Sequence, residues 1–118
     1  MILVVGYCIL LSSKFAPKTF KQYGDGVTVL NTDKRLPESY DDLLIILRYM
    51  DITKIESFFF TKISLPSDNS YLSCYRGGYW ADTNAYGIDL SISRKACRIR
   101  SVRYNGVEQN FSLFAYYK

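Results

Sequence analysis

The chain has 118 residues, enough for one domain with a single core, and its 48% apolar and 22% charged content is that of an ordinary globular protein. It contains no histidine, so Ser-His-Asp and Cys-His triads and histidine-based nuclease chemistry are excluded within it. A net charge of +4 permits an anionic partner without requiring one.

Residues 1–11, MILVVGYCILL, form a nearly continuous apolar run. It lacks a positive n-region and is too short to span a bilayer as a helix. A run rich in Val and Ile reads as a central strand buried on both faces, with a targeting segment as the alternative. A basic, irregular segment follows, carrying Lys14, Lys18 and Lys21. A short strand is expected from Val27 to Leu30, then a loop to Pro37.

One helix is predicted. Ser39 fits its N-cap, with Asp42 three residues on, and Asp41 and Asp42 sit in the first turn, where the helix dipole favours negative charge. Leu43, Ile46, Leu47 and Met50 fall at i, i+3, i+4 and i+7, one apolar face. The helix is expected to end near Asp51.

Residues 54–63 read as a strand with Phe side chains on both faces. Gly77-Gly78 is expected to close a tight hairpin that places Tyr75 opposite Trp80. Tyr86 to Ser93 alternates Ile88, Leu90 and Ile92 with Asp89, Ser91 and Ser93, a strand buried on one face. A second strand, from Cys97 to Tyr104, is joined to residues 107–117 by Asn105-Gly106, the strongest short-range hairpin signal. Counting from that turn pairs Arg103 with Glu108, Arg100 with Phe111 and Arg98 with Leu113. The mixed faces that result call for a bulge or for arginine stems lying over aromatic rings. The expected architecture is α+β, one mostly antiparallel sheet of six or seven strands with a single helix packed on a face, all in one domain over residues 1–118.

The three cysteines, Cys8, Cys74 and Cys97, are scattered and read as buried free thiols in a reducing cytoplasm. Without histidine they cannot close a zinc shell, and neither a phosphate loop nor a dinucleotide-binding fingerprint is present. No cofactor or metal is expected.

Two surfaces are candidates for binding. Tyr40, Asp41, Asp42, Tyr49 and Asp51 on the predicted helix combine aromatic anchors with acids, the chemistry that recognises a protein partner. Arg98, Arg100 and Arg103, interleaved with aromatics, offer the alternative of nucleic-acid binding. In size, apparent α+β make-up and lack of a catalytic set, the chain resembles the small bacterial immunity proteins of toxin–immunity pairs, such as those of contact-dependent growth inhibition. That resemblance implies a cytoplasmic, non-catalytic inhibitor, without membrane association, that occludes a toxin nuclease domain. A phage-type inhibitor of a host protein is a further alternative. The chain is expected to be a monomer, or a homodimer formed through an open strand edge.

Overall fold

The structure is a computed structural model, and it describes residues 19–50, 53–67, 70–79 and 86–118. Among the described residues nine strands run in chain order: β1 Lys21–Gln22, β2 Lys34–Arg35, β3 Asp42–Tyr49, β4 Lys54–Thr61, β5 Leu72–Tyr79, β6 Tyr86–Ile92, β7 Ala96–Tyr104, β8 Val107–Glu108 and β9 Phe111–Tyr117. Two antiparallel sheets result. One has the order β1-β9-β3-β4; the other has β2-β7-β6-β5, with β8 also paired to β7. One turn of 3-10 helix, Lys62–Ser64, follows β4, and there is no α-helix among the described residues.

This corrects the α+β expectation, and the reason lies in β3. Leu43, Ile45 and Leu47 are fully buried, while Leu44 and Ile46 between them are half-buried. The run Leu43-Leu44-Ile45-Ile46-Leu47 therefore satisfies a helical stripe and a strand with two apolar faces equally well. Its two adjacent isoleucines favour the pleated conformation. The partners decide it: every residue from Asp42 to Tyr49 pairs with β4, and every residue from Leu43 to Tyr49 also pairs with β9. Met50, at φ 54, then turns the chain toward β4, and its carbonyl accepts from the Thr53 amide at 3.0 Å and the Thr53 hydroxyl at 2.6 Å.

The inner faces of both sheets share one core. Leu43, Ile45, Leu47, Phe58, Leu113 and Ala115 from the first sheet meet Ile88, Leu90, Ile92, Cys97, Ile99 and Val102 from the second. Burying a Leu, Ile or Phe side chain contributes about 1.5–3 kcal/mol each, so this two-layer sandwich is held chiefly by those rows. The strand expected at 54–63 is β4, with Phe58 buried and Phe59 outward. The strand expected at 86–93 is β6, with Ile88, Leu90 and Ile92 inward.

The Asn105-Gly106 turn forms as expected, with both residues at positive φ (52 and 75), and Arg103 lies opposite Glu108. The rest of that hairpin does not form. After two residues of β8 the chain crosses through Gln109 and Asn110 to the other sheet, so Phe111 pairs with Tyr49 and Leu113 with Leu47 rather than with Arg100 and Arg98. Strands that change sheets at a corner are a known solution for sandwiches. The bulge expected in that hairpin is not found there; β7 carries one instead in its pairing with β6, where the register shifts between Asp89 and Leu90 and leaves Arg100 as the extra residue.

The Gly77-Gly78 hairpin is also corrected, because β5 runs straight through both glycines with a register shift between Arg76 and Tyr79. Val27 makes only an isolated bridge to Leu113 instead of opening a strand. The segments 1–11, Cys8, Asp51 and Trp80 lie outside the described residues.

Candidate functional site: a tyrosine-lined cleft at one end of the sandwich

The two ends of the sandwich differ. At one end lie Tyr40, Asp41 and Asp42. Tyr40 is only 6% exposed, and its hydroxyl donates to the Arg94 carbonyl at 2.6 Å. Burial pushes its phenol up to about 12, with Cys97 adding to the shift and Arg94 opposing it. The Lys62 ammonium sits 5.0 Å from the ring centroid. Arg94 Nε donates to the carbonyls of Lys62 at 3.2 Å and Leu65 at 2.9 Å. Tyr40 and Arg94 thus clamp the turn after β4 to the turn between β6 and β7. A cleft of about 540 Å³ opens beside Tyr40 and Asp41, but its charges are mixed, since Lys21 and Lys118 line it together with Asp41.

Tyr49 lies at the opposite end of β3, seven residue steps from Asp42 and so roughly 24 Å away at about 3.4 Å per residue. The described members of the acidic patch therefore do not come together: Tyr40 is core, Asp41 and Asp42 belong to one end, and Tyr49 to the other, while Asp51 lies outside the described residues.

At the Tyr49 end a cleft of about 240 Å³ opens between the sheets, lined by Tyr49, Glu56, Arg76, Tyr86, Arg103 and Tyr104 among others. Each element delivers its residue by its terminus: Tyr49 ends β3, Tyr86 begins β6 and Tyr104 ends β7. The floor is made by two glycines at positive φ, Gly77 at 95 and Gly87 at 138. A Cβ on Gly77 would lie 2.6 Å from the Gly87 Cα and 2.9 Å from the Tyr86 carbonyl oxygen, so only glycine permits this approach of β5 to β6.

The charges around the cleft are held in place. Arg76 lies 3.9 Å from Glu56 across the two sheets, and its guanidinium stacks over the Phe58 ring at 4.6 Å. Arg103 Nε lies 3.6 Å from Glu108, and its terminal nitrogen donates to the Gly106 carbonyl at 2.9 Å. Glu108 in turn accepts from the Val102 amide at 2.6 Å. Burial, then Glu56 and Tyr104, raise the Tyr49 phenol, so it is a neutral hydrogen-bonding group at physiological pH. Tyr86 is 47% exposed and Tyr104 39%.

The other arginines of β7 are also matched with acids. Arg98 Nε lies 3.5 Å from Asp33, and its guanidinium stacks over Tyr71 at 4.4 Å. Arg100 Nε lies 3.9 Å from Asp89. Arg98 thus stacks on Tyr71 and not on an aromatic of the expected hairpin, and the three arginines do not form an unopposed basic strip.

The described thiols are poor nucleophiles. Burial pushes Cys97 up to about 12 and raises Cys74 as well. Among the described residues no group of three or more Cys, Asp or Glu is placed to hold a metal ion. No helix among them is long and apolar enough to cross a membrane. Comparison with protein-family models, with curated proteins and with solved structures finds no match to this chain.

Sequence reasoning reached Tyr49 and Arg103 separately, one through the supposed helix and one through the basic strand. It missed Tyr86 and the convergence of three tyrosines. The available signal was that each stands at the end of a strand-like run.

Proposed function

We propose that this protein is a binding module whose partner is another protein, held at the tyrosine-lined end of the sandwich. The observation that carries the reading is the grouping of Tyr49, Tyr86 and Tyr104 on rigid strand ends, between two arginines already fixed by Glu56 and Glu108. Tyrosine supplies large amphipathic contact area at low entropic loss, and tyrosine and arginine dominate binding hot spots. A site at the loop end of a sandwich also places its contacts on a stiff scaffold. The acid matched to each of Arg98, Arg100 and Arg103 favours a protein over nucleic acid, because a phosphate backbone needs cations free to release counterions.

A toxin domain, bound and neutralised in the cytoplasm, is the partner class we carry forward. Of the grounds for the immunity-protein resemblance, the α+β make-up is overturned, and size and the lack of a catalytic set remain as readings of the sequence. The test is capture from the native lysate on the tagged full chain, washed at low and then high salt, with nuclease treatment in parallel. One protein retained through high salt and nuclease, inactive as a toxin while bound, is the expected result. Retention of nucleic acid alone, lost at high salt, would overturn the reading.

A further inference from the structure

The outer face of the β1-β9-β3-β4 sheet is apolar. Because Leu43, Ile45 and Leu47 point inward, Leu44, Ile46 and Arg48 point outward. Leu44 is flanked by Phe59 and Tyr116, and Ile46 by Ser57 and Phe114. Phe59 is 57% exposed, and Ile55, opposite Arg48, is 58% exposed. Antiparallel sheets that face water normally carry polar residues on that side, so this face is built to be covered.

Phe20, just before β1, sets its ring edge-on against Phe59 of β4 at 6.4 Å, reaching from one side of the sheet to the other, and Lys118 lies 4.7 Å over the Phe20 ring. Nine residue steps separate Phe20 from Leu11, the end of the apolar run. That is about 30 Å of reach at ~3.3 Å per residue, against a face roughly 15 Å wide and 25 Å long for four strands of this length. No interior gap is open to a strand in this sheet, since β9 and β3 are each paired on both sides.

We propose that residues 1–11 pack their apolar side chains on the outer face of the four-stranded sheet of the same chain, next to Phe59. A tethered segment acts at an effective concentration in the mM range. At micromolar protein it therefore outcompetes a second copy for this face.

The test uses the full chain with methyl-labelled Ile, Leu and Val. Nuclear Overhauser contacts from the methyls of Leu3, Val4, Val5, Ile9 and Leu10 to the Phe59 and Phe114 rings are expected, and they should persist within single chains when labelled and unlabelled protein are mixed. Phe59→Glu and, independently, Val5→Glu should abolish them and raise the fluorescence of an added hydrophobic dye severalfold. Phe59 is outward-facing, so its change spares the core, and Val5 makes the same test from the segment's side. Absence of these contacts in the wild type would overturn the proposal. So would contacts that appear only between differently labelled chains, which would assign the face to a second copy.

Discussion

Tyr40→Phe separates a structural clamp from a binding anchor. The substitution removes one oxygen, and with it the 2.6 Å hydrogen bond to the Arg94 carbonyl. The lost bond and the partly unsatisfied acceptor together amount to about 1–3 kcal/mol. The pH dependence sharpens the test. The folded phenol is raised from its usual 10.0 to about 12, so the neutral form is favoured by folding. The stability this contributes is complete below pH 10, where neither state ionises. It is lost as pH rises toward 12, because the unfolded chain releases its proton first. In that window the wild type should lose about 1.4 kcal/mol per pH unit from this group, and Tyr40→Phe should not. Urea unfolding at pH 7, 9, 10 and 11 measures both. The gap between the two proteins should be largest at pH 7 and shrink by roughly 1 kcal/mol by pH 11. The ten other tyrosines, present in both, cancel in the comparison. A gap below ~0.3 kcal/mol at pH 7, or one that is flat with pH, would refute the clamp.

Three further outcomes follow from local geometry. Gly77→Ala meets a left-handed backbone at φ 95 and the Gly87 Cα at 2.6 Å, and should lose about 2–4 kcal/mol in urea unfolding; a loss under ~1 kcal/mol would mean the glycine contact is not required. Asp89 is raised by burial, with Arg100 opposing, and its Oδ1 is buried without a hydrogen-bond partner. Its charged form is therefore disfavoured by folding, and stability from this group falls as pH rises above the unfolded carboxylate range. Asp89→Asn should raise the midpoint of unfolding at pH 7 and have little effect near pH 3, whereas a lower midpoint at pH 7 would show that the Arg100 pair dominates. Gly106→Ala, at φ 75 in the second position of the turn, should lose about 1 kcal/mol; an unchanged unfolding midpoint would remove the turn's need for glycine.

In the second sheet β6 and β7 were readable in the amino-acid sequence because they obey local rules, whereas β2 and the course of β5 through Gly77-Gly78 were not. Ile88, Leu90 and Ile92 alternate with polar residues, and Asn105-Gly106 can close only a tight turn. In the first sheet β4 was readable as a strand but β3 was not, for a physical reason. Its outer face is apolar too, so β3 shows no alternation, and Leu43 to Leu47 fit either period. What settles β3 is pairing with β4 and with β9, and β9 lies more than sixty residues away. The same non-locality hid the cleft. Tyr49, Tyr86 and Tyr104 converge only because the two sheets stack in register at that end, which no short window of sequence encodes. Arg103 and Glu108, by contrast, were legible as a pair because the turn between them fixes their register.

The central claim is that the Tyr49 end, and not the Tyr40 end, is the recognition surface. Its most direct test compares capture of the native partner by the wild type, by Tyr86→Ala/Tyr104→Ala and by Asp41→Lys/Asp42→Lys, with folding of each checked by its unfolding midpoint. The account predicts that the tyrosine pair weakens binding at least ~30-fold, as two hot-spot truncations of ~1–2 kcal/mol each would. The aspartate pair should leave binding within about twofold, as expected for charges away from the interface. Intact binding by the tyrosine variant together with loss in the aspartate variant would contradict it and move the site to the other end of the sandwich.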